Sequence, residues 1–119
     1  MTLDAEALLT IHRRADGWEQ LVARVLDAGE PRVTATALAE AGMLLVAESD
    51  DPLDVLNLHT LVRTLTLTVV PFTERDWSEA VMVYHSRRRS LGTGAARFGE
   101  CLTAAVAART GAAVVSRPE

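Results

Sequence analysis

The sequence predicts an α/β fold in which a short parallel sheet of about four strands lies between two layers of helices. Stretches with apolar residues at helical spacing alternate along the chain with short apolar or β-branched runs. Strands separated by helices need crossover connections, and right-handed crossovers cover both faces of a parallel sheet with helices. A chain of 119 residues can bury roughly two thirds of its unfolded surface, so residues 1–119 are predicted to form one domain.

The first half of the chain is predicted to hold two strands and three helices. In order, these elements are a strand ending at Asp4, helices over residues 5–14 and 16–28, a strand over residues 32–35, and a helix from residue 36 to about residue 48. Asp4 is a residue type that caps helices and stands directly before the first one, and Thr34 or Thr36 can serve the third helix in the same way. Trp18 belongs to the apolar stripe of the second helix, which predicts a core position.

The second half is predicted to hold three more helices and two more strands. They are a helix begun by the Asp-Asp-Pro turn at residues 50–52, a strand over residues 66–70, a helix from about residue 74 to the arginines at 87–89, a helix headed by Glu100, and a strand over residues 112–116. The predicted buried side of the first of these helices consists of Leu53, Leu56, Leu61 and Leu65. Residues 90–96 are predicted to be a flexible connector, because the stretch follows a helix and lacks the Lys-Ser/Thr of a phosphate-binding P-loop.

Composition and charge restrict the class of protein. No apolar run approaches the roughly 20 residues of a membrane helix, and the N-terminus lacks the order of a signal peptide, so a cytoplasmic protein is expected. The formal net charge of −4 argues against a generally basic surface for nucleic acid and leaves only local positive patches. All twelve basic residues are arginine, for which a GC-rich genome is the preferred explanation, although arginine also suits bidentate contacts with phosphate. Cys101 has no partner for an internal disulfide and is predicted to be buried.

Four acidic residues share a setting, because each lies beside an apolar run. They are Asp4, Glu40, Glu100 and Glu119. Capping and compensation of the helix dipole explain an acid near a helix start without any function, at about 0.3–1 kcal/mol each. Sites in parallel sheets, however, form outside the carboxyl ends of the strands, where several of these acids are predicted to lie. Two carboxylates about 5 Å apart repel by on the order of 3 kcal/mol at an effective dielectric of 20, and bound Mg²⁺ or Mn²⁺ would remove that cost.

Four blocks of the sequence resemble the PIN-domain ribonucleases, and within them the VapC-type toxins of bacterial toxin–antitoxin pairs. Residues 1–9, MTLDAEALL, are similar to the opening strand of the family with its Asp, and residues 34–41, TATALAEA, to the block that ends in a metal-binding Glu. Residues 69–73, VVPFT, are similar to the strand before the fourth helix of the family, and residues 97–102, RFGECL, to its Asn-Phe/Tyr-Gly-Asp-Cys block. The order and spacing of the blocks extend the resemblance over nearly the whole chain.

The resemblance implies a three-layer α/β/α PIN-like fold and Mg²⁺- or Mn²⁺-dependent cleavage of RNA. It implies that Asp4, Glu40 and Glu100 are catalytic acids and metal ligands, with Glu119 as a fourth ligand. The candidates for phosphate binding in that setting are Arg87, Arg88, Arg89 and Arg97. An antitoxin protein and a second copy of the chain, in a homodimer, are the implied partners. Compared with many relatives, the match is shorter by a final strand and helix.

Four positions depart from the pattern of the family. Ala5 and Glu6 stand where hydroxyl residues are usual, Arg97 replaces the usual Asn, and Glu100 replaces the usual Asp. Glutamate keeps the charge but carries it about one methylene further out, and Mg²⁺ tolerates little error in geometry. Two functional hypotheses therefore stay open: a ribonuclease with weakened activity, and a catalytically degenerate PIN-like domain that acts as a protein-interaction module. A third hypothesis, a structural α/β domain whose acids are only helix caps, assigns no function.

Overall fold

The computed structural model describes residues 1–91 and 97–116, which form four strands and six helices. The elements are the strands β1 (Thr2–Leu3), β2 (Arg32–Thr34), β3 (Thr68–Val70) and β4 (Val114–Val115), and the helices α1 (Ala5–Arg13), α2 (Trp18–Asp27), α3 (Ala35–Ser49), α4 (Leu53–Thr64), α5 (Asp76–Leu91) and α6 (Phe98–Thr110). The connector predicted at residues 90–96 therefore begins inside α5. Its residues 92–96 lie outside the described part of the chain, as Glu119 does.

The four strands form one parallel sheet in the order β3-β2-β1-β4. Leu3 of β1 lies opposite Val33 of β2 and Val115 of β4, and Val33 lies opposite Val69 of β3. Helices flank the sheet, so the predicted three-layer α/β/α architecture is confirmed. Central β1 is fully covered, because Thr2 and Leu3 are 1% and 0% exposed.

The core forms where α1, α2 and α3 pack together over the middle of the sheet. Its largest fully buried apolar side chains are Leu3, Leu8, Leu21, Val25 and Val33. Each such side chain contributes about 1.5–3 kcal/mol when it leaves water, so this cluster is the main source of stability. Cys101 of α6 is buried as predicted. Within the described ranges, no helix combines the length and the apolar character needed to cross a membrane.

The structure corrects the predicted buried face of α4. Leu53 and Leu56 are 59% and 60% exposed, whereas Leu58 and Leu65 are buried. The buried stripe begins at Leu58 and runs to Leu65 with the i, i+3, i+4, i+7 spacing of one helix face, so the first turn of α4 extends beyond the core. Trp18, predicted to lie in the core, is half-buried.

Strand β3 is shorter than the predicted run of residues 66–70. Thr66 has a φ of 54°, in the left-handed region that β-branched residues rarely adopt. The N–H groups of Thr66 and Leu67 donate to the carbonyls of Arg63 and Val62 at 3.1 and 2.9 Å, which closes the end of α4. The turn therefore uses the first two residues of the predicted strand, and pairing with β2 begins at Thr68.

A buried carboxylate joins α5, α6 and the loop between β3 and α5. Arg109 donates from Nε to Oδ1 of Asp76 at 2.8 Å and from Nη2 to Oδ2 at 3.1 Å, a bidentate pair, and Nη2 also donates to the carbonyl of Pro71 at 2.9 Å. The N–H and hydroxyl of Thr73 donate to the same Oδ2 at 2.8 and 3.0 Å, so the carboxylate also holds the loop that precedes α5. These hydrogen bonds, led by those of Arg109, hold the pKa of Asp76 below its usual value.

Arg109→Ala is expected to lower the free energy of unfolding more than Glu48→Ala does. The first change leaves a carboxylate that is 1% exposed without its cation, whereas Glu48 forms an exposed pair with Arg13, Nη2 to Oε1 at 2.6 Å, of a kind worth about 0.2–1 kcal/mol. Urea unfolding at neutral pH measures both losses. Equal losses would show that the pair between Asp76 and Arg109 is not an anchor of the fold.

The contribution of Asp76 should also depend on pH. Because its folded-state pKa is lowered, the stabilisation is complete above the unfolded-state value of about 3.9 and is lost as the pH falls through that value and then through the lower folded-state value. The difference in stability between the wild type and Asp76→Asn should therefore shrink in acid. Unfolding curves between about pH 2 and pH 7 measure it, and a constant difference would contradict the assignment.

Candidate functional site

The carboxyl ends of β1 and β2 meet at one edge of the sheet. The two strands pair in parallel, with Leu3 opposite Val33. The next residue along each strand is Asp4 in one case and Thr34 in the other, so these two residues lie side by side at the edge. Oδ1 of Asp4 accepts a hydrogen bond from the N–H of Ala7 at 2.9 Å, and Oγ1 of Thr34 accepts one from the N–H of Ala37 at 3.0 Å. Both residues therefore cap the helices that follow, α1 and α3. The cap at Asp4 is as predicted, and of the two candidates for α3 the structure selects Thr34 over Thr36.

A cavity of about 510 Å³ opens at this edge, and we call it the acid cavity. Three of the predicted acids line it from different elements: Asp4 at the start of α1, Glu40 from α3, and Glu100 from the first turn of α6. Asp4 and Glu100 also line a smaller cavity of about 160 Å³ beside it. The structure thus brings together three residues that lie up to 96 positions apart in the sequence.

Glu40 lies in an unfavourable electrostatic environment. It is placed beyond the first turn of α3, so compensation of the helix dipole does not explain it. Partial burial raises the pKa of Glu40, the negative charges of Asp4 and Glu100 raise it further, and the positive charge of Arg97 lowers it. The field that disfavours a negative charge at Glu40 favours a cation at the same location.

The four arginines predicted to bind phosphate divide into two groups. Arg97 lines the acid cavity, and Arg87 lines the smaller cavity and pairs with Glu100, Nη1 to Oε2 at 3.5 Å. Arg88 and Arg89 are exposed on α5 and are not among the residues lining these two cavities in the described chain. Two of the four candidates therefore lie at the site.

The prediction from sequence missed Arg13. This residue is the last of α1 and lines the acid cavity. Its guanidinium pairs with Glu48 of α3, which is not among the residues lining that cavity in the described chain. In the sequence it resembles any basic residue in the last turn of a helix, which the helix dipole explains without a site. The acid cavity is therefore bordered by two cationic side chains, Arg13 and Arg97.

Hydroxyl groups reach the site from positions that the sequence did not single out. Thr103 is 2% exposed and lines the acid cavity, and its Oγ1 lies 3.5 Å from Oγ1 of Thr34. Ser116, which follows β4, donates to Oε2 of Glu6 at 3.2 Å. The PIN-domain pattern has hydroxyl residues at the positions of Ala5 and Glu6. This chain lacks them there but carries hydroxyl groups near the site on other elements. Thr103 lies three residues after Glu100 and therefore on the same face of α6. This spacing is the feature of the sequence that could have identified Thr103 as a site residue.

The carboxylates suit a divalent cation by their chemistry but do not form a finished ligand set. In the part of the chain that the structure describes, no three His, Cys, Asp or Glu side chains are placed to hold a metal ion together. The donors at the acid cavity are carboxylate oxygens, the type that Mg²⁺ and Mn²⁺ prefer. Oδ1 of Asp4 is engaged by the helix cap and Oε2 of Glu100 is paired with Arg87, so one oxygen of each carboxylate already has a partner.

Comparisons with known proteins add no relative to this picture. A scan of the chain against known protein families matches none of them, and a search of curated proteins finds no match. A functional assignment therefore depends on the residues and geometry of the chain itself.

Proposed function

We propose that this chain is a weakly active endoribonuclease of the VapC type, with a PIN-like fold, that hydrolyses RNA phosphodiester bonds with Mg²⁺ or Mn²⁺. The observation that supports the proposal is that Asp4, Glu40 and Glu100 line one cavity at the carboxyl edge of a parallel sheet. Their mutual repulsion raises the free energy of the folded state unless a cation offsets it. The resemblance of four sequence blocks to PIN-domain ribonucleases points to the same reaction.

The side chains at the acid cavity have separate parts in this reaction. A bound divalent cation supplies activation of water and stabilisation of the charge that develops around phosphorus. Asp4 is oriented by the N–H of Ala7, which engages one carboxylate oxygen and leaves the second outside that bond. Glu40 and Glu100, together with Glu6, form the rest of the anionic wall. The longer arm of Glu100 and its pairing with Arg87 are the reasons to expect weak activity.

The arginines at the rim suit an RNA backbone. Arg13 and Arg97 border the acid cavity, and Arg87 lies at the neighbouring smaller one. Arg13 and Arg87 already pair with carboxylates, Glu48 and Glu100, whose exposure allows exchange for phosphate. Binding of single-stranded RNA should therefore weaken as salt is added. The logarithm of the binding constant should fall with the logarithm of the salt concentration, with a slope of about −0.7 for each phosphate contact.

Mn²⁺ at millimolar concentration is expected to raise the melting temperature of the wild type. A cation that binds only the folded state stabilises it by mass action, by about 2.7 kcal/mol at one hundred times its dissociation constant. Glu40→Gln should lose most of the shift. The matched control Glu48→Gln, which changes an exposed acid outside the lining of the acid cavity, should keep it. Thermal melts of chelator-treated protein with and without Mn²⁺ measure the shift, and equal shifts in both variants, or none in the wild type, would remove the cation from the proposal.

Glu100→Asp is expected to raise the rate of Mn²⁺-dependent RNA cleavage. The shorter arm draws the carboxylate back towards the usual geometry of the family, and because a misplacement of about 1 Å can cost on the order of a hundredfold in rate, the gain can approach that factor. Cleavage of mixed-sequence RNA on denaturing gels measures it. A wild type that cleaves robustly and is slowed by Glu100→Asp would contradict the idea of a weakened site.

Asp4→Asn is expected to abolish cleavage while the protein stays folded. Asparagine caps a helix about as well as aspartate, so the hydrogen bond from Ala7 can persist while the negative charge is lost. The same cleavage assay, paired with a melting curve, separates the two effects. Full activity in a folded Asp4→Asn protein would exclude Asp4 from the reaction.

A second candidate function is that of a protein-interaction module that has lost catalysis. The observation that favours it is a groove of about 710 Å³ between α3 and α4, the apolar groove, whose wall includes Leu38, Met43, Val46, Val55, Leu58 and Val62. In this candidate the partner is a second copy of the chain. Helix α5 presents Trp77, Val81 and Met82 with 55–60% of their surface exposed, so each copy carries apolar side chains that could enter the groove of another.

Under this candidate the wild type is expected to be a dimer that Met43→Glu dissociates. Met43 lines the apolar groove and is 67% exposed, so a charge there opposes association without disturbing the core. Leu26→Glu, a change of similar exposure on α2 at 69%, is the control and should leave the dimer intact. Light scattering after size-exclusion chromatography measures the mass. A monomeric wild type would contradict self-association and leave the groove to a different protein, such as the antitoxin that the resemblance implies.

A further inference from the structure

Gly99 occupies a helical position whose backbone conformation does not require glycine. It lies in the first turn of α6 and is not among the residues with positive φ. Glycine is the weakest helix former after proline, so alanine would suit the backbone better. The reason for glycine lies in its neighbour. A Cβ atom built on Gly99 would overlap Oε1 of Glu40 and lie 2.7 Å from Cδ and 2.8 Å from Oε2 of the same side chain.

The close approach involves the carboxylate of Glu40 specifically. The three atoms nearest to the built Cβ are the three atoms of that carboxylate group. Gly42 of α3 provides the comparison, because a Cβ there meets Cδ1 of Leu58 at 3.6 Å, an ordinary van der Waals contact. The space that a side chain at residue 99 would fill is therefore the space that the Glu40 carboxylate occupies.

This carboxylate is held where neighbouring charges oppose it. Asp4 and Glu100 are both negative and near enough to Glu40 to disfavour its charge, while Arg97 favours it. A glutamate side chain has several rotatable bonds and can turn towards solvent when repelled. The open space over Gly99 offers it a position against α6 that is close to the other two acids.

We propose that Gly99 is the positioning residue for Glu40: because it lacks a Cβ, the Glu40 carboxylate can lie against the first turn of α6 and line the acid cavity with Asp4 and Glu100. The role of that carboxylate in cation binding rests on the proposed function, but its placement by Gly99 does not. A methyl group at residue 99 meets the flexible end of a side chain rather than backbone, so the carboxylate moves and the fold persists.

The variant Gly99→Ala tests the placement directly. Its melting temperature should equal or exceed that of the wild type, since alanine is the better helix former. Its crystal structure should show the Glu40 carboxylate displaced from the space beside residue 99. Gly42→Ala is the matched control, because its Cβ fits without displacement, and it should leave Glu40 in place.

Binding of Mn²⁺ tests the consequence of the displacement. Affinity measured by titration calorimetry should fall by about 10–100-fold in Gly99→Ala, a loss typical of changes to residues that orient a metal ligand, and should be unchanged in Gly42→Ala. Glu40→Gln should show a similar loss, and adding Gly99→Ala to it should cost nothing further. In a Glu40→Asp background the shorter arm draws the carboxylate back, so Gly99→Ala should again have no added effect, which a purely structural role of Gly99 would not predict.

The outcomes separate this inference from the proposed function. An unmoved Glu40 carboxylate in the crystal structure of Gly99→Ala, or losses of affinity that add in the double variants, would overturn the positioning role. If the wild type binds no Mn²⁺, the cation site fails and the crystal structure alone decides: a displaced carboxylate supports the positioning role, and an unmoved one overturns it.

Discussion

The parallel pairing of β1 with β2 is the constraint on which the rest of this structure depends. The pairing brings Asp4 and Thr34 to the same edge, and each then caps the helix that follows its strand. The cap at Thr34 starts α3, which carries Glu40 to the acid cavity, while Asp4 lines that cavity itself. A residue can thus be a structural cap and a member of a candidate site at once, so the two interpretations of Asp4 that the sequence leaves open do not compete.

The same constraint collects negative charge in one place, and the chain offsets it only in part. Arg97 favours the charged form of Glu40, and Arg87 pairs with Glu100. Both members of the latter pair are 36% exposed, and exposed pairs contribute about 1 kcal/mol at most. An interaction this weak can be exchanged for a stronger one with phosphate or a cation, which is the electrostatic basis for the proposed activity. A strong, buried pair at Glu100 would instead have fixed the acid in a structural role.

Local signals in the sequence were sufficient for the fold class, the order of helices and strands, and the caps at Asp4 and Thr34, because such features depend on residues a few positions apart. Contacts between distant segments were not predictable in this way. The partner of Asp76 is Arg109, 33 positions away, and nothing in the neighbourhood of either residue indicates the other. Leu53 and Leu56 were wrongly predicted to be buried, whereas Leu61 and Leu65 do pack at the core. A leucine-rich helix has apolar residues on more than one face, and only packing against α3 selects among them.

Helix α6 connects the stability of the fold with the chemistry of the site. One end carries Gly99 and Glu100, and the other, about 20 Å away for a helix of 13 residues, carries Arg109. Attraction between Arg109 and Asp76 fixes the helix at one end, so the other end can hold an acid against repulsion. The acid cavity and the pair between Asp76 and Arg109 respond to acid in sequence, because the pKa of Glu40 is raised, chiefly by burial, and the pKa of Asp76 is lowered, chiefly by Arg109. As the pH falls, a proton first relieves the repulsion at the acid cavity and only later weakens the anchor. At neutral pH the divalent cation of the proposed function would relieve the same repulsion, because carboxylate oxygens are the donors that hard divalent ions prefer.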